Sequence, residues 1–557
     1  MKKNKSVFAL LMVLCFAVVV VPEVGRVKAD TFSGVIRIMS DGTVEGTDKI
    51  QRNGDVYTFT GDVNADLPSS FTNLESFMLV MKDNIVIDGA GHTLESNGIG
   101  IGIFLRSRHN VTVNNFNLKG FAIGISLAIT DTSSYEYPSG RRALNIEILN
   151  NNITAVYTEG FLTGDNSGWG IYLEFSDNAV VSGNTITTQD PQKGIFCSAN
   201  CYGTTLINNK FIGCGLWFFG LEGNNVMGNT IDGKPVVYVD GASNQVIEGA
   251  EQVFLVNCNN MTVKNIHPSL NYRAAVQMEK THNSEVMNCE GAIVLNGSSN
   301  NSIHDNFPNL IALFRDSNYN KVFRNVVVGG STFYFQDPMC IQIYGSDYNS
   351  VYWNELLNSS HGIRVGNIDP YESENNDIYQ NNITNMALAV YCSYSSNNSI
   401  HENHIADSTF GIKFSRSDQN RVYQNNITEC EYAANIQGSD NAFYNNNFGE
   451  NSHQVSIDHT YLFTSNIIIE YSTNNTFDSG YLLGGNFWSD YNGTDSDGDG
   501  IGDTPYIINE DNQDNYPLME PADIPVIPEF PSWVILHLFF VVVLVGVVVR
   551  RKVFRPT

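Results

Sequence analysis

Residues 376–449 contain one phrase four times: NDIYQNNIT (376–384), NSIHENHIA (398–406), NRVYQNNIT (420–428) and NAFYNNNFG (441–449). The copies are 22, 22 and 21 residues apart and obey Asn-x-(Ile/Val/Phe)-x-x-Asn. The same rule recurs upstream from Asn224, Asn301, Asn320 and Asn349. Self-similarity at a fixed period of about 20 to 30 residues marks a solenoid. Within each unit, β-branched and aromatic residues alternate over short runs broken by Asn, Gly, Ser and Asp, which reads as strands between turns. No unit holds a helical stretch or the consensus of a leucine-rich repeat. Three short strands per turn, stacked about 4.8 Å apart, make a parallel β-helix, so the fold class is all-β.

The second asparagine of each copy (Asn229, Asn306, Asn325, Asn354, Asn381, Asn403, Asn425 and Asn446) is expected to stack at one bend. An amide donates to one neighbouring coil and accepts from the other. Asparagine also tolerates the left-handed conformation that a tight corner requires. This ladder is read as structural.

Working outward, residues 1–29 read as a signal peptide: Lys2, Lys3 and Lys5 precede an apolar run, and Val27-Lys28-Ala29 offers small residues for cleavage. Residues 30–80 carry strand-like pieces without the asparagine rule and are assigned as an N-terminal β cap. Coils are expected over 81–480, about 16 to 18 of them at the repeat length of such arrays, with the polar stretch 128–168 looping out. Residues 481–521 are expected to cap the C-terminal end. Prolines make 522–532 a stiff linker. Trp533 to Val549 is a mostly apolar run, read as a transmembrane helix or sorting signal, and 550–557 is a basic tail on the cytoplasmic side. The chain between leader and anchor is then exported and held at the outer face of the membrane.

A net charge of −27 over 557 residues argues against nucleic acid, whose binding needs basic patches. The cysteines lack Cys-x-x-Cys spacing, so zinc and redox motifs are unsupported. Cys197 and Cys201 either pair across a loop or pack as small hydrophobes.

These Asn-x-Ile-x-x-Asn repeats with Gly-Ile-x-Phe strands resemble the right-handed parallel β-helix repeats of NosD-like, carbohydrate-binding and sugar-hydrolase proteins. The ending GNFWSDYNGTDSDGDGIGDTPYIINEDNQDNYPLMEP (485–521) resembles the segment that closes such helices in archaeal surface proteins, and the PEFPSW run resembles archaeal sorting signals. The resemblance implies a right-handed β-helix and one of three activities: glycan binding, polysaccharide cleavage, or copper-site maturation.

Three constellations bear on chemistry. Asp495-Ser-Asp497-Gly-Asp499-Gly-Ile-Gly-Asp503 matches the start of a calcium loop, with Asp495, Asp497, Asp499, the Ile501 carbonyl and Asp503 as oxygen ligands. Position 12 is Tyr506 where an EF-hand has Glu, so the site is read as structural. Copper has only the pair His401 and His404, with no Met-rich or Cys-x-x-Cys cluster beside it. His401 moreover takes a slot filled by Tyr379, Tyr423 and Tyr444 in neighbouring copies, so copper is not expected.

The third constellation depends on register. The x of each Gly-Ile-x-Phe strand faces outward and stacks on its counterparts. Tyr172, Phe196 and Trp217 then form an aromatic strip suited to sugar rings, and Gln342, Arg364, Tyr391, Lys413 and Asn435 line the later coils. Arg364 and Lys413 suit a uronate carboxylate. The stripe holds no pair of facing carboxylates, as glycoside hydrolysis requires, and no lyase cluster is visible. The leading expectation is a surface protein that binds glycans or forms part of the envelope. A polysaccharide lyase or glycoside hydrolase comes second.

Overall fold

The computed structural model describes residues 30–525 apart from 33–34, 66–75, 128–141, 157–167, 198–200, 273, 332–336, 367–371, 459, 463–467 and 471. Every regular element among them is a strand, and the sheets are parallel except at hairpins near the ends and at one internal turn. The leader 1–29, the run 533–549 and the tail 550–557 lie outside the described residues. No helix among those described is long and apolar enough to cross a membrane.

The strands form a parallel β-helix in two runs. In the first, one face stacks seven strands in parallel, from Ile36–Ile38 to Leu216–Phe218. In the second, a ten-strand face runs from Val246–Ile247 to Ala442–Tyr444. Of the stretch expected to loop out, 142–156 instead contributes coil strands, including Glu147–Leu149 and Asn152–Ala155. Its Asn and Ile alternate as in any other coil, and the polar residues flanking it hid that pattern.

Each inward row is one apolar column. Val253, Val276, Ile293, Ile311, Ile341, Ile363, Val390 and Ile412 succeed one another in register, all buried. The two runs have separate cores.

They meet at a seam. Thr230–Ile231 turns back antiparallel onto Lys234–Asp240, which then pairs in parallel with Gln252–Val256. Beyond it, side chains of the second run bond the last strand of the first. Gln252 Oε1 accepts from Leu216 N (2.9 Å) and its Nε2 donates to Leu216 O (3.1 Å). Gln277 Nε2 donates to Phe218 O (3.2 Å), and Glu279 Oε2 accepts from Leu221 N (2.6 Å). These side chains satisfy edge groups that a further strand would otherwise meet.

Three amide ladders run along the corners, where one was expected. Asn151, Asn184, Asn209 and Asn229 form the ladder of the first run, each Nδ2 donating to the next Oδ1 at 2.9–3.0 Å. Asn229 therefore ends a separate series. Asn306, Asn325, Asn354, Asn381, Asn403, Asn425 and Asn446 form the second, every step 2.9–3.0 Å, continuing to Asn486. The first asparagine of the motif builds a parallel ladder that the repeat rule contained but did not assign: Asn301, Asn320, Asn349, Asn376, Asn398, Asn420, Asn441 and Asn475. Each Oδ1 also accepts the backbone N–H of the preceding ladder residue, as Asn403 Oδ1 does from Asn381 N at 3.0 Å.

The left-handed seat is not the ladder asparagine. It is the residue before it: Asp305, Arg324, Trp353, Gln380, Glu402, Gln424 and Asn445 all have positive φ. The ladder residue needs its side chain turned inward, and the preceding residue makes the turn that aims it.

Asn486 is followed by Asp514, which is buried and accepts from Asn486 N (2.7 Å) and Trp488 Nε1 (2.9 Å). Burial pushes its carboxyl up to about 6.

Two outcomes follow for stability. Replacing Asn403 by Leu strands Asn381 N–H and the facing amides in a dry corner, at about 1 to 3 kcal/mol for each buried group left unpaired. Chemical denaturation should show a loss of at least that size, and an unchanged midpoint would refute the ladder's role. For Asp514, an unfolded carboxyl titrates near about 4, so between about 4 and 6 the folded state holds a proton the unfolded state has lost. Its contribution to stability therefore falls as pH rises through that window. Glu174, pushed up to about 7 by burial, acts in the same direction. Asp514→Asn should lessen the decline in melting temperature from pH 4 to 6 without abolishing it.

Candidate functional site

In the first run the outward row is Leu79, Phe104, Ser126, Tyr172, Phe196 and Trp217, in direct register. The three aromatic residues stand in line as the spacing required, but they do not form an open platform. Phe196 and Trp217 are 4% and 8% exposed, packed with Ile101, Phe104, Ile123 and Trp169. The Tyr172 and Phe196 rings stack at 4.5 Å and Phe196 meets Trp217 at 5.0 Å. Trp169, buried at the centre, stacks on Trp217 at 5.7 Å. The ring faces that a sugar would use are largely taken by one another, because apolar rings in adjacent coils bury themselves first.

In the second run the outward row is Gln342, Arg364, Tyr391, Lys413 and Asn435, again in register. A second row runs beside it: Met339, His361, Leu388, Phe410, Tyr432 and His453. Strict alternation misses this row, since His361 and Arg364 are three residues apart. Gly362 between them occupies a bend where an added Cβ would lie 2.5 Å from Ala389 O and 2.8 Å from the core side chain of Ile383. That inward-turned position precedes the inward Ile363 and so breaks the parity, leaving both His361 and Arg364 on the outer side. The usable signal was a bulky residue immediately before Gly or Ala, repeated at 361, 388, 410 and 432.

The face combines rings and cations. Phe410 stacks on Tyr432 at 5.0 Å, and Tyr432 on His453 at 4.7 Å. The Arg364 guanidinium lies 5.5 Å from the Tyr391 ring centre, and Lys413 Nζ lies 4.4 Å from that of Phe410. His361 meets Tyr391 at 5.8 Å. Arg364, Tyr391 and Lys413 are half-buried, and burial lowers the pKa of the Arg364 guanidinium. Burial, and next the charge of Arg364, push His361 down to about 4, so it is neutral at pH 7. Among the described residues, its Nδ1 and both amide atoms of the fully buried Gln342 have no hydrogen-bond partner. Asn435 Nδ2 donates to Asp458 Oδ2 at 2.8 Å.

His401 belongs to a different face. It stacks between Tyr379 (5.1 Å) and Tyr423 (4.6 Å) in a column of seven rings from His304 through Phe323 and Tyr352 to Tyr444. Its Nε2 pairs with Asp377 Oδ1 at 2.9 Å. His404 contacts Asn426 Nδ2 through Nδ1 at 3.0 Å. Neither histidine joins a group of three metal-ligating side chains among the described residues.

One such group is present: the carboxylates of Asp495, Asp497 and Asp499 converge within 4.8 Å. Gly498 and Gly500 take left-handed φ values of 75° and 90° there, folding the chain so that alternate aspartates converge. Asp503 is not part of that group. Its Oδ2 accepts from Ser496 N (3.0 Å), Ser496 Oγ (2.6 Å) and Thr494 Oγ1 (3.1 Å).

Residues 368–493 match the model of the family described as periplasmic copper-binding protein (NosD). These coils are similar to that family. No curated protein sequence matches the chain. Among solved structures, the chain is similar to the periplasmic alginate epimerase AlgG at 11% identity, covering 77% of this chain and 84% of that one, with a TM-score of 0.22. The A-module of the Azotobacter vinelandii mannuronan C-5 epimerase AlgE4 gives 11% identity, 75% and 91% coverage, and a TM-score of 0.19. The DFA-IIIase from Arthrobacter chlorophenolicus A6 gives 11%, 61% and 70%, with a TM-score of 0.17.

Proposed function

We propose that the face carrying Arg364, Tyr391 and Lys413 binds an acidic polysaccharide laid along the helix axis, on an exported protein tethered through 533–549. The observation that carries this reading is the placement of two cations on one outward row of a chain with 58 acidic and only 31 basic residues. Arg364 and Lys413 stand two coils apart, so their charges are spaced by about 10 Å, close to two sugar rings. Guanidinium binds a carboxylate through paired hydrogen bonds, and the Phe410–Tyr432–His453 row alongside adds apolar contact for the sugar. The neutral His361 touching Tyr391 beside Arg364 favours a second reading, an enzyme acting on the same acidic sugars.

The test compares retention of wild type and Arg364→Ala with Lys413→Ala on acidic and neutral polysaccharides. Wild type should be held by the acidic polymer and released by salt, as a charge-driven contact is screened, and the double variant should elute early. Equal retention of both folded proteins would remove this face. Shortened or unsaturated sugars appearing with wild type would move the reading from binder to enzyme.

We also propose that Asp495, Asp497 and Asp499 hold a structural calcium ion. Three like charges in so small a space repel one another, and a divalent cation reverses that. A ligand bound only by the folded state stabilises it, so calcium should raise the melting temperature of wild type. Asp497→Ala with Asp499→Ala should lose that increment; its persistence would place the ion elsewhere.

A further inference from the structure

Among the described residues, one run of consecutive large apolar side chains is exposed: Tyr481 (53%), Leu482 (94%) and Leu483 (64%). The other exposed ones stand singly in the sequence, and none is as bare as Leu482. Surface hydrophobes scattered singly need no explanation, but three on one turn do. The turn is firmly held. Ser479 N donates to Gly484 O (3.0 Å), and Leu483 N and Gly484 N both donate to Gly480 O (3.1 and 2.9 Å). Beneath it Asp478 accepts from Gly480 N (3.0 Å) and from Asn515 N and Nδ2 (3.1 and 2.8 Å). The leucines are therefore presented at the C-terminal end of the helix on a turn that is already formed.

Two further observations bear on what covers them. The first is where the chain goes. Ala522 is pinned to the last coils, its N–H donating to Asn447 Oδ1 (2.7 Å) and its carbonyl accepting from Asn447 Nδ2 (3.0 Å). Trp533, which opens the apolar run, is eleven residues further on, a reach of at most about 40 Å. The ten-strand face of the second run is itself about 43 Å long at the usual strand spacing. With 533–549 as the tether proposed above, this end of the helix, and the turn with it, is the end kept beside the lipid. The second observation is the bond from Tyr481 OH to Asp499 Oδ2, which ties the turn to the group of Asp495, Asp497 and Asp499. Residues 491–520 hold eight acidic side chains and no Lys or Arg, so without a cation this end is repelled by the phosphates of a bilayer surface. A calcium ion at the three aspartates, two of them exposed, reverses that. It takes six to eight oxygens, and headgroup phosphates can add to what three carboxylates begin.

We infer that the turn Tyr481-Leu482-Leu483 is a calcium-dependent docking tip that seats in the phospholipid surface to which the chain is tethered. This rests on the tether and the calcium site proposed above, and adds a contact that neither of them requires. Apolar side chains gain by leaving water for the boundary between headgroups and acyl chains, and charge attraction at the same place adds to that gain. Docking here gives the protein a second attachment beside a proline-rich tether, and so fixes how the helix stands on the surface.

The cysteines among the described residues are all buried, so one introduced at the surface of the full chain can be labelled selectively once Cys15→Ser removes the leader thiol. Leu482→Cys carries a polarity-sensitive fluorophore at the tip, and Met227→Cys, at a position 59% exposed in the first run, carries it as control. Each protein is reconstituted into vesicles of phosphatidylcholine and phosphatidylglycerol that contain a lipid-borne quencher. With calcium, the label at 482 should brighten severalfold before quencher is added and be quenched with it. Chelation should reverse both changes, Asp497→Ala with Asp499→Ala should prevent them, and the label at 227 should not respond. A label at 482 that stays in water with calcium present overturns the inference, as does a response that chelation leaves intact. So does brightening that the lipid quencher cannot reach, because a second copy of the protein then covers the turn. The calcium reading is tested separately by melting. If calcium raises the melting temperature while the label at 482 stays in water, the ion site stands and lipid docking alone is refuted. If calcium leaves the melting temperature unchanged, the ion site falls and the docking tip with it.

Discussion

A buried primary amide has a donor side and an acceptor side, and every other feature of this molecule accommodates that fact. Once one asparagine is placed inside a corner, its unpaired half demands another in the next coil at hydrogen-bond distance. The demand propagates through Asn306 to Asn486 in one corner and Asn301 to Asn475 in the next. Coil spacing is thereby fixed twice, by the ladder and by the backbone sheets, and outward side chains inherit that spacing. Two of the ladders end on an amide whose donor a backbone carbonyl takes: Asn229 Nδ2 donates to Leu206 O at 2.7 Å and Asn475 Nδ2 to Gly438 O at 3.0 Å. The ladder through Asn446 and Asn486 ends differently, on Asp514, whose ionised carboxyl accepts and does not pass the demand on.

The seam solves the same problem for a sheet edge. The strand Leu216–Phe218 would leave bonding groups open, and Gln252, Gln277 and Glu279 reach across to meet them. Their side chains point outward from the second run, so that face begins buried at the seam, and the cluster of Val294, Ala312, Phe314 and Met339 keeps the next coils covered.

Much of this was legible in the residues. The repeat rule implied the coils, the inward asparagines and the outward order from Tyr172 to Trp217 and from Gln342 to Asn435, because period-2 alternation and a constant repeat length carry that information. What the sequence could not carry was relative depth. Phe196 and Trp217 read as surface rings, yet their neighbours Phe104 and Trp169 bury them, and that depends on residues distant in the chain. The left-handed seat was assigned one residue late, since Asn and Asp occupy both positions in several copies. Asp503 was counted as a ligand on spacing alone, and spacing could not show that Ser496 and Thr494 also bond its Oδ2. His361 was overlooked because a glycine bend shifts parity, and the seam at 230–256 was invisible because no repeat marks a change of partner.

The acceptor-only ending has an implication for how such a molecule can vary in length. A 22-residue unit like that at 398–419 arrives with both corner amides already in phase, so it can be inserted between two others without disturbing either end. Growth by duplication is then nearly neutral to the fold, and the length of the open face becomes a quantity that natural selection can adjust one coil at a time.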